Sequence, residues 1–375
     1  MTKIVFIRHI QAEGNLFRVM QGHWDGEATA LGLRQAEALA RRFRAVPFDA
    51  IYTSDLSRAR LTAEALHRGR GVPLIADPRL RELNMGAWEG RFFGDLKHER
   101  PSEIRQFLLR DEDWRVPGAE SYADVAKRTR AALEEILRAH EGGRVAVVSH
   151  GVAIRALLAS VLELDTADPR ALPIGGNTAV SQLSWENGAF SVDFLGDCSH
   201  LEAALAPEWE SVPDLRAEPI DPLAEADFYT ACYADAWRCA HGSLRGFRPE
   251  PYLNAACEHH RADPQAVLRV YDGDEPAGLV DMDTQRGAHA GIGWLSLVYL
   301  RPAYRRRGMG IQLLGRAILH YRRLGRRSLR LVAAEENGAA LAFYEHWGFR
   351  RLSREGGCGD GLWLLEKKLG GAGYV

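Results

Sequence analysis

Cysteine is scarce in this chain. There are five in 375 residues, Cys198, Cys232, Cys239, Cys257 and Cys358, and no two form a C-x-x-C pair. An odd, scattered set excludes a disulfide framework and a cysteine zinc site, and reads as reduced thiols. No sign of charge dominates either. A formal net charge of -2 supplies no field that would draw a nucleic acid or an anionic membrane as main partner. Long hydrophobic runs are missing: none approaches the roughly 18 apolar residues of a spanning helix. The opening "MTKIVFI" is too short for a signal-peptide core, and charge follows at once. The expectation is a cytoplasmic protein with no membrane and no nucleic-acid partner. Internal repeats and low-complexity segments are also absent, which gives no sign of a solenoid.

What is present is alternation. At 375 residues two domains are expected, since a single domain usually runs to about 100–200. Residues 1–197 alternate short β-rich runs ("KIVFI", "DAIYTS", "RVAVVSH") with helical patterns such as "LGLRQAEALARRF", where Ala36, Leu39 and Phe43 share a face. That order predicts a three-layer α/β/α sandwich around a mostly parallel sheet. Ser121 with Asp124 resembles a capping box at the start of a helix to His140, and Asn187-Gly188 reads as a hairpin turn. Residues 198–214, with "APEWESVPD", read as a linker. Residues 215–375 predict a mixed α/β domain, with an amphipathic helix over 308–324 and strands at "GIGWLSLVYL", "SLRLVAA" and "LWLLEKK".

Ligands of parallel sheets collect at the carboxyl ends of strands. There this sequence places Arg8 and His9, Arg58, and His150, with Glu82 in a loop that could cover them. Forked guanidinium donors of Arg8 and Arg58 suit phosphate oxygens. Their charges should keep His9 neutral and nucleophilic. His150 could stabilise the phosphoryl group in flight, and Glu82 could act as general acid and then base. No metal is required.

These residues sit in "IRHIQAEGN", "MQGHWDGEATALGLRQAEALA", "SDLSRARLTAE", "RLRELNMGAWEG", "GAESYADVAKR" and "VSHG". With them the first half resembles the histidine phosphatase superfamily, in the branch of cofactor-dependent phosphoglycerate mutases and their phosphatase relatives. The resemblance implies that His9 is the phosphorylated residue, that Arg8, Arg58 and His150 complete the pocket, that Asn15 contacts phosphate and that Glu82 is the proton donor. Two positions depart from the family pattern: Ile10 replaces the usual Gly, and Ala12 replaces a frequent Ser or Thr. A β-branched residue does not readily take positive φ, so weakened or narrowed activity is expected. Only 67 residues lie between Glu82 and His150, little room to enclose a mutase intermediate, so a phosphatase acting on a small phosphorylated metabolite is favoured. The alternatives are a phosphoglycerate mutase, or a weakly active or inactive binding module that regulates the second half.

In the second half, "LVYLRPAYRRRGMGIQLLGRAI" joins a strand, an arginine run and Gly308-Met309-Gly310 to a helix start, a favourable place for a pyrophosphate. With "ENGAALAFYEHWGFR" it looks like the GNAT acetyltransferase family, which implies acetyl-CoA and an amine acceptor. On that resemblance Val298 and Leu300 offer a strand edge to the pantetheine arm. The loop Arg305, Arg306, Arg307, Gly308, Met309 and Gly310 holds the pyrophosphate, Asn337 touches the cofactor and Tyr344 protonates the departing thiolate. A packed core aromatic is the other reading of Tyr344. No base is assigned: Asp281, Asp283, Glu335 or an ordered water could accept the proton, or the amine could arrive already neutral. The whole reads as a bifunctional fusion, with homo-oligomerisation left open.

Overall fold

The computed structural model describes residues 1–111, 113–164, 172–205, 212–355 and 361–370. They fall into two compact units, one formed mainly by the residues up to 205 and the other mainly by those from 212 onward.

The first unit is built on strands β1 (Thr2–Arg8), β2 (Ala50–Thr53), β3 (Leu74–Ala76), β4 (Arg144–Ser149), β5 (Val180–Glu186) and β6 (Ala189–Asp197), in the order β3-β2-β4-β1-β5-β6. The first four are mutually parallel, and β5 and β6 add an antiparallel edge. The sequence dictates the layering. Ile4 and Phe6 of β1, with Val145 and Val147 of β4, pack on helices Tyr122–Ala139 and Gly151–Leu162 through Leu133, Ile136, Ile154 and Leu158. The intervening Val5, Ile7, Ala146 and Val148 pack on helices Ala30–Arg42 and Ser57–His67 through Leu39, Ala59 and Ala63. Both faces of the central strands are therefore buried, which is why they read as unbroken apolar runs. Each Val, Leu, Ile or Phe among them contributes about 1.5–3 kcal/mol of transfer free energy.

Local chemistry sets the element ends. Ser121 and Asp124 form the reciprocal capping box, and Asn187 and Gly188 turn the β5–β6 hairpin with φ of 50° and 83°. The first unit runs past residue 197 into the segment read as linker: Ala203–Leu205 form a 3-10 turn, and the Leu205 carbonyl accepts from Gln35 Nε2 at 3.0 Å. Residues 206–211 of that segment, and Cys358, lie outside the described residues.

The second unit carries β7 (Arg216–Pro219), β8 (Val267–Asp272), β9 (Glu275–Asp283), β10 (Ile292–Leu300), β11 (Ser328–Ala334), β12 (Arg350–Glu355) and β13 (Leu362–Lys368). Their order is β12-β13-β11-β10-β9-β8-β7. Neighbours are antiparallel except β10 and β11. Helices Ala226–His241, Pro249–Ala262, Gly310–Arg323 and Gly338–His346 accompany the sheet. Ile311, Leu314, Ile318 and Tyr321 are buried along one of them. Among the described residues no helix is long and apolar enough to cross a membrane.

Candidate active sites

In the first unit, register brings the two histidines together. Arg8 pairs with Ser149 across β1 and β4, so the next residues, His9 and His150, emerge side by side with ring centroids 5.1 Å apart. Both rings are buried. His9 Nδ1 lies 2.6 Å from the Ile10 carbonyl. A carbonyl only accepts, so Nδ1 carries the proton and Nε2 keeps the lone pair. Burial, then the charges of Arg58 and Arg8, hold the His9 imidazole well below its ordinary pKa against the pull of that hydrogen bond. His150 is lowered likewise, by burial and then by Arg58. Neither ring nitrogen of His150 has a hydrogen-bond partner among the described residues. A buried polar group without a partner is costly, and a bound anion would relieve it.

Arg58 lies in the first turn of its helix and is almost fully buried. Its Nη2 donates to the Gly22 carbonyl at 2.7 Å, and Nη1 donates to the Trp24 carbonyl and to Asp25, leaving Nε without a partner. Arg8 Nη1 donates to the Gly175 carbonyl at 2.8 Å. Glu82 is fixed by the helix that follows His150: its carboxylate accepts from the Val152 and Ala153 N–H groups at 3.2 and 2.9 Å. A carboxylate at a helix N-terminus is favoured by the dipole and satisfies otherwise orphaned donors. The Glu82 backbone carbonyl in turn accepts from Arg128 Nη2 and lies 2.9 Å from His23 Nε2. Sequence reasoning singled out neither Arg128 nor His23. The available signals were "QGHWDGE", which holds His23, and "GAESYADVAKR", which ends in Arg128.

Asn15 turns inward. Its Oδ1 accepts from the Ala12 N–H at 3.0 Å, bracing the start of the short helix Glu13–Phe17, which leaves the amide NH2 as its donor to any anion. Ile10 corrects the expectation attached to it. It is not among the positive-φ residues. Its side chain is fully buried among Ala28, Ala36 and Ala65, in the seam between two helices, and its N–H donates to Thr62 Oγ1. The Ile10 carbonyl meets the histidine from a backbone that is not left-handed, so a side chain larger than Gly fits at this position. Ala12 is buried and supplies no hydroxyl.

In the second unit, β10 stays beside β11 only over Ile292–Trp294. A bulge between Leu295 and Leu297 follows, after which Val298 and Leu300 pair with Val280 and Gly278 of β9. The parting of β10 and β11 leaves the edge at Val298 and Leu300 without a β11 partner, a place where an extended chain can add main-chain hydrogen bonds. In the loop, Arg306 and Gly308 are left-handed, with φ of 58° and 73°. Left-handed residues interspersed with extended and helical ones turn successive N–H groups inward, the geometry that cradles anions. Gly310 opens helix Gly310–Arg323, and the Met309 side chain is buried. The Arg305 side chain is committed internally: Nη2 donates to Asp235 at 2.5 Å, Nε to the Leu300 carbonyl and Nη1 to Cys239 Sγ. Arg307 lies exposed beside the Ala303 carbonyl.

Asn337 caps helix Gly338–His346, its Oδ1 accepting from the Ala340 N–H at 3.1 Å. Tyr344 is buried between Phe343 and Phe349, each 5.3 Å away ring to ring, and burial pushes its hydroxyl pKa up. Among the candidate bases, Glu335 pairs with Arg354 at 2.5 Å. Asp281 is buried against Tyr229 and His259, the latter absent from the sequence-based candidates. Among the described residues no group of three or more His, Cys, Asp or Glu is arranged to hold a metal ion.

Residues 4–198, about half of the chain, match the family model described as histidine phosphatase superfamily (branch 1). The chain belongs to the histidine phosphatase superfamily. Residues 229–349 match the acetyltransferase (GNAT) family, so this superfamily member is a fusion. Its first part is 35% identical over 213 residues to "Probable phosphoglycerate mutase GpmB" of Enterobacter sp. (strain 638), covering 56% of this chain and 99% of that protein. The protein of the same name from Cronobacter sakazakii is 36% identical over the same length and coverage. Among solved structures, Bacillus stearothermophilus YhfR is similar with a TM-score of 0.52 and 33% identity, over 54% of this chain and 100% of that one.

Proposed function

We propose that the first unit is a phosphatase of a small phosphorylated metabolite working through phosphohistidine at His9, without a metal, and that the second is an acetyl-CoA-dependent N-acetyltransferase. The observation that carries the first part is the tautomer of His9. With Nδ1 donating to Ile10, Nε2 is free to attack phosphorus, and Arg8, Arg58 and His150 surround the ring. As the bond to the leaving oxygen breaks, Glu82 donates a proton to it. Glu82 then takes a proton from the water that cleaves the phosphohistidine. The rigid frame built from Gly22, Trp24 and Asp25 holds Arg58 in place before substrate arrives, the preorganisation on which phosphoryl transfer depends.

The test is inorganic phosphate release from a generic phosphate monoester by wild type and His9→Ala, with mass spectrometry for a phosphoryl group on His9. Equal release by the two proteins would instead support a binding module. The names of the relatives favour a second reading, a phosphoglycerate mutase. Interconversion of 2- and 3-phosphoglycerate without phosphate release would establish it.

For the second unit, the parted strands β10 and β11 and the loop Arg305–Gly310 suit an extended thiol ester bearing a pyrophosphate. Val298 and Leu300 would pair with its arm, and the loop N–H groups would hold its phosphates. Asn337 would stand near it, and Tyr344 would give a proton to sulfur. Acetyl-CoA supplies the activated acetyl group. Thermal stabilisation of the chain by acetyl-CoA tests the assignment, and no shift at saturating concentration would overturn it.

A further inference from the structure

Asp281 is 1% exposed, and a charge so buried is tolerated only when it is paired and hydrogen-bonded. Its partners are specific: Tyr229 Oη donates to Oδ2 at 2.7 Å, and His259 Nδ1 lies 2.7 Å from Oδ1. A carboxylate on Nδ1 fixes the imidazole orientation and directs Nε2 outward. His259 Nε2 stands 3.5 Å from Oδ2 of Asp283, a more exposed carboxylate. Asp281 and Asp283 alternate along β9 and so share a sheet face. In register, Asp281 pairs with Leu297 and Met282 with Leu295, the two sides of the β10 bulge where that strand leaves β11. The cluster therefore lies beside the point where the strands part.

Building on the acetyltransferase reading above, we propose that His259 is the general base of acetyl transfer, positioned by Asp281 and Tyr229, and that Asp283 receives the acceptor as a primary ammonium. His259 Nε2 takes one proton from the ammonium. The freed nitrogen lone pair forms the C–N bond to the thioester carbonyl as the C–S bond breaks. The second nitrogen proton passes to sulfur by way of Tyr344, and the first leaves His259 for solvent. The acceptor class is then an amine that is cationic at neutral pH. An uncharged aniline or an alcohol offers Asp283 a neutral hydrogen bond but no charge to pair. Burial disfavours the His259 imidazolium, but the hydrogen bond and charge of Asp281, with the charges of Asp283 and of Glu258 on its own helix, together hold its pKa above the ordinary histidine value. Tyr229 faces the same carboxylate from helix Ala226–His241.

The experiment uses the full chain, with acetyl-CoA binding by calorimetry, CoA release with cadaverine, tyramine or L-lysine as probe, and the His259 ring followed by NMR. His259→Gln is expected to bind acetyl-CoA as wild type does. It should lose about 10²–10⁴-fold in kcat and lose the wild-type limb in which activity falls as pH drops through the imidazole pKa. Asp281→Asn should move that limb to lower pH, and Asp283→Asn should raise KM for the amine more than it lowers kcat. If no probe is acetylated, the His259 Cε1 resonance of the acetyl-CoA complex should still move on adding cadaverine. Full turnover by His259→Gln with an unchanged pH profile, or a resonance indifferent to saturating amine, would overturn the proposal. Failure of acetyl-CoA to bind wild type would instead sink the underlying acetyltransferase reading, and this one with it.

Discussion

Replacing Ile10 separates packing from chemistry. The side chain is fully buried in a seam lined by Ala28, Ala36 and Ala65. Alanines have no rotamers with which to fill a vacated space, so Ile10→Ala should fall in the upper two thirds of the usual 2–5 kcal/mol for such truncations, about 3–5 kcal/mol. Ile10→Val should cost about 0.5–1.5 kcal/mol, and Ile10→Gly should exceed Ile10→Ala by roughly 0.5–1 kcal/mol through backbone entropy. For a unit of this size each kcal/mol lowers Tm by about 2–4 °C, which places Ile10→Ala about 6–20 °C below wild type. The proposed catalytic groups are untouched, because His9 is held by the Ile10 carbonyl and Thr62 by its N–H, and both persist in every variant. Phosphate release well below the transition should therefore stay within about twofold of wild type, less than 1 kcal/mol of barrier. The melt is followed with and without vanadate, a phosphate mimic, to identify the transition belonging to the first unit. A Gly variant that is far more active, or an Ala variant as stable as wild type, would refute the reasoning.

His9 and His150 both have depressed pKa values in the folded state, so the unfolded chain binds more protons below pH 6.5. Stability should fall as pH drops through that value, by up to about 1.4 kcal/mol per unit and per histidine. Chemical denaturation of the first unit at pH 7.5 and 5.5 should show a shallower loss in His9→Asn than in wild type. Glu82→Gln keeps an acceptor oxygen for only one of the Val152 and Ala153 N–H groups and lacks the acid. Phosphate release should drop about 10²–10⁴-fold while vanadate still stabilises the protein. Asp235→Asn weakens the clamp on Arg305 and loosens the loop. Calorimetry should find acetyl-CoA bound about tenfold more weakly, equivalent to 1.4 kcal/mol, and unchanged affinity would count against a role for that loop.

The sheet centre was legible because strands buried on both faces leave continuous apolar runs, and "KIVFI" and "RVAVVSH" became β1 and β4. Ser121 with Asp124, and Asn187 with Gly188, were legible because cap and turn chemistry is local. Strands β3 and β12 were not. The first has three residues, and the second is exposed throughout, so neither leaves a hydrophobic period. The orientation of Ile10 was invisible for another reason: a family pattern records a preferred residue, while backbone angle and neighbouring helices decide whether a different one fits. Asn15 and Asn337 were read as ligand contacts, yet each side-chain oxygen is engaged with a helix start, a role asparagine fills often. The partners of Arg305 and Asp281 lie 70 and 52 residues away or nearer, separations that no local pattern encodes.

In both units the chemistry depends on strand register more than on any single side chain. In the first, the pairing of Arg8 with Ser149 makes His9 and His150 neighbours. Because side chains alternate faces, a slip of one residue would exchange the Ile4–Phe6 and Val5–Ile7 sets between helical layers, and two cores would have to be repacked at once. The register is thus enforced by burial far from the pocket, and the two imidazoles inherit their spacing from it. In the second unit the β10 bulge shifts the register by one residue beside Asp281, at the place where β10 parts from β11. One distortion thereby opens an edge for an extended ligand and sets a buried carboxylate next to it. Deleting Ser296, the extra residue of the bulge, would restore regular pairing, closing the first and misplacing the second together, which is why binding and proton transfer in that unit should fail as a pair when the bulge is removed.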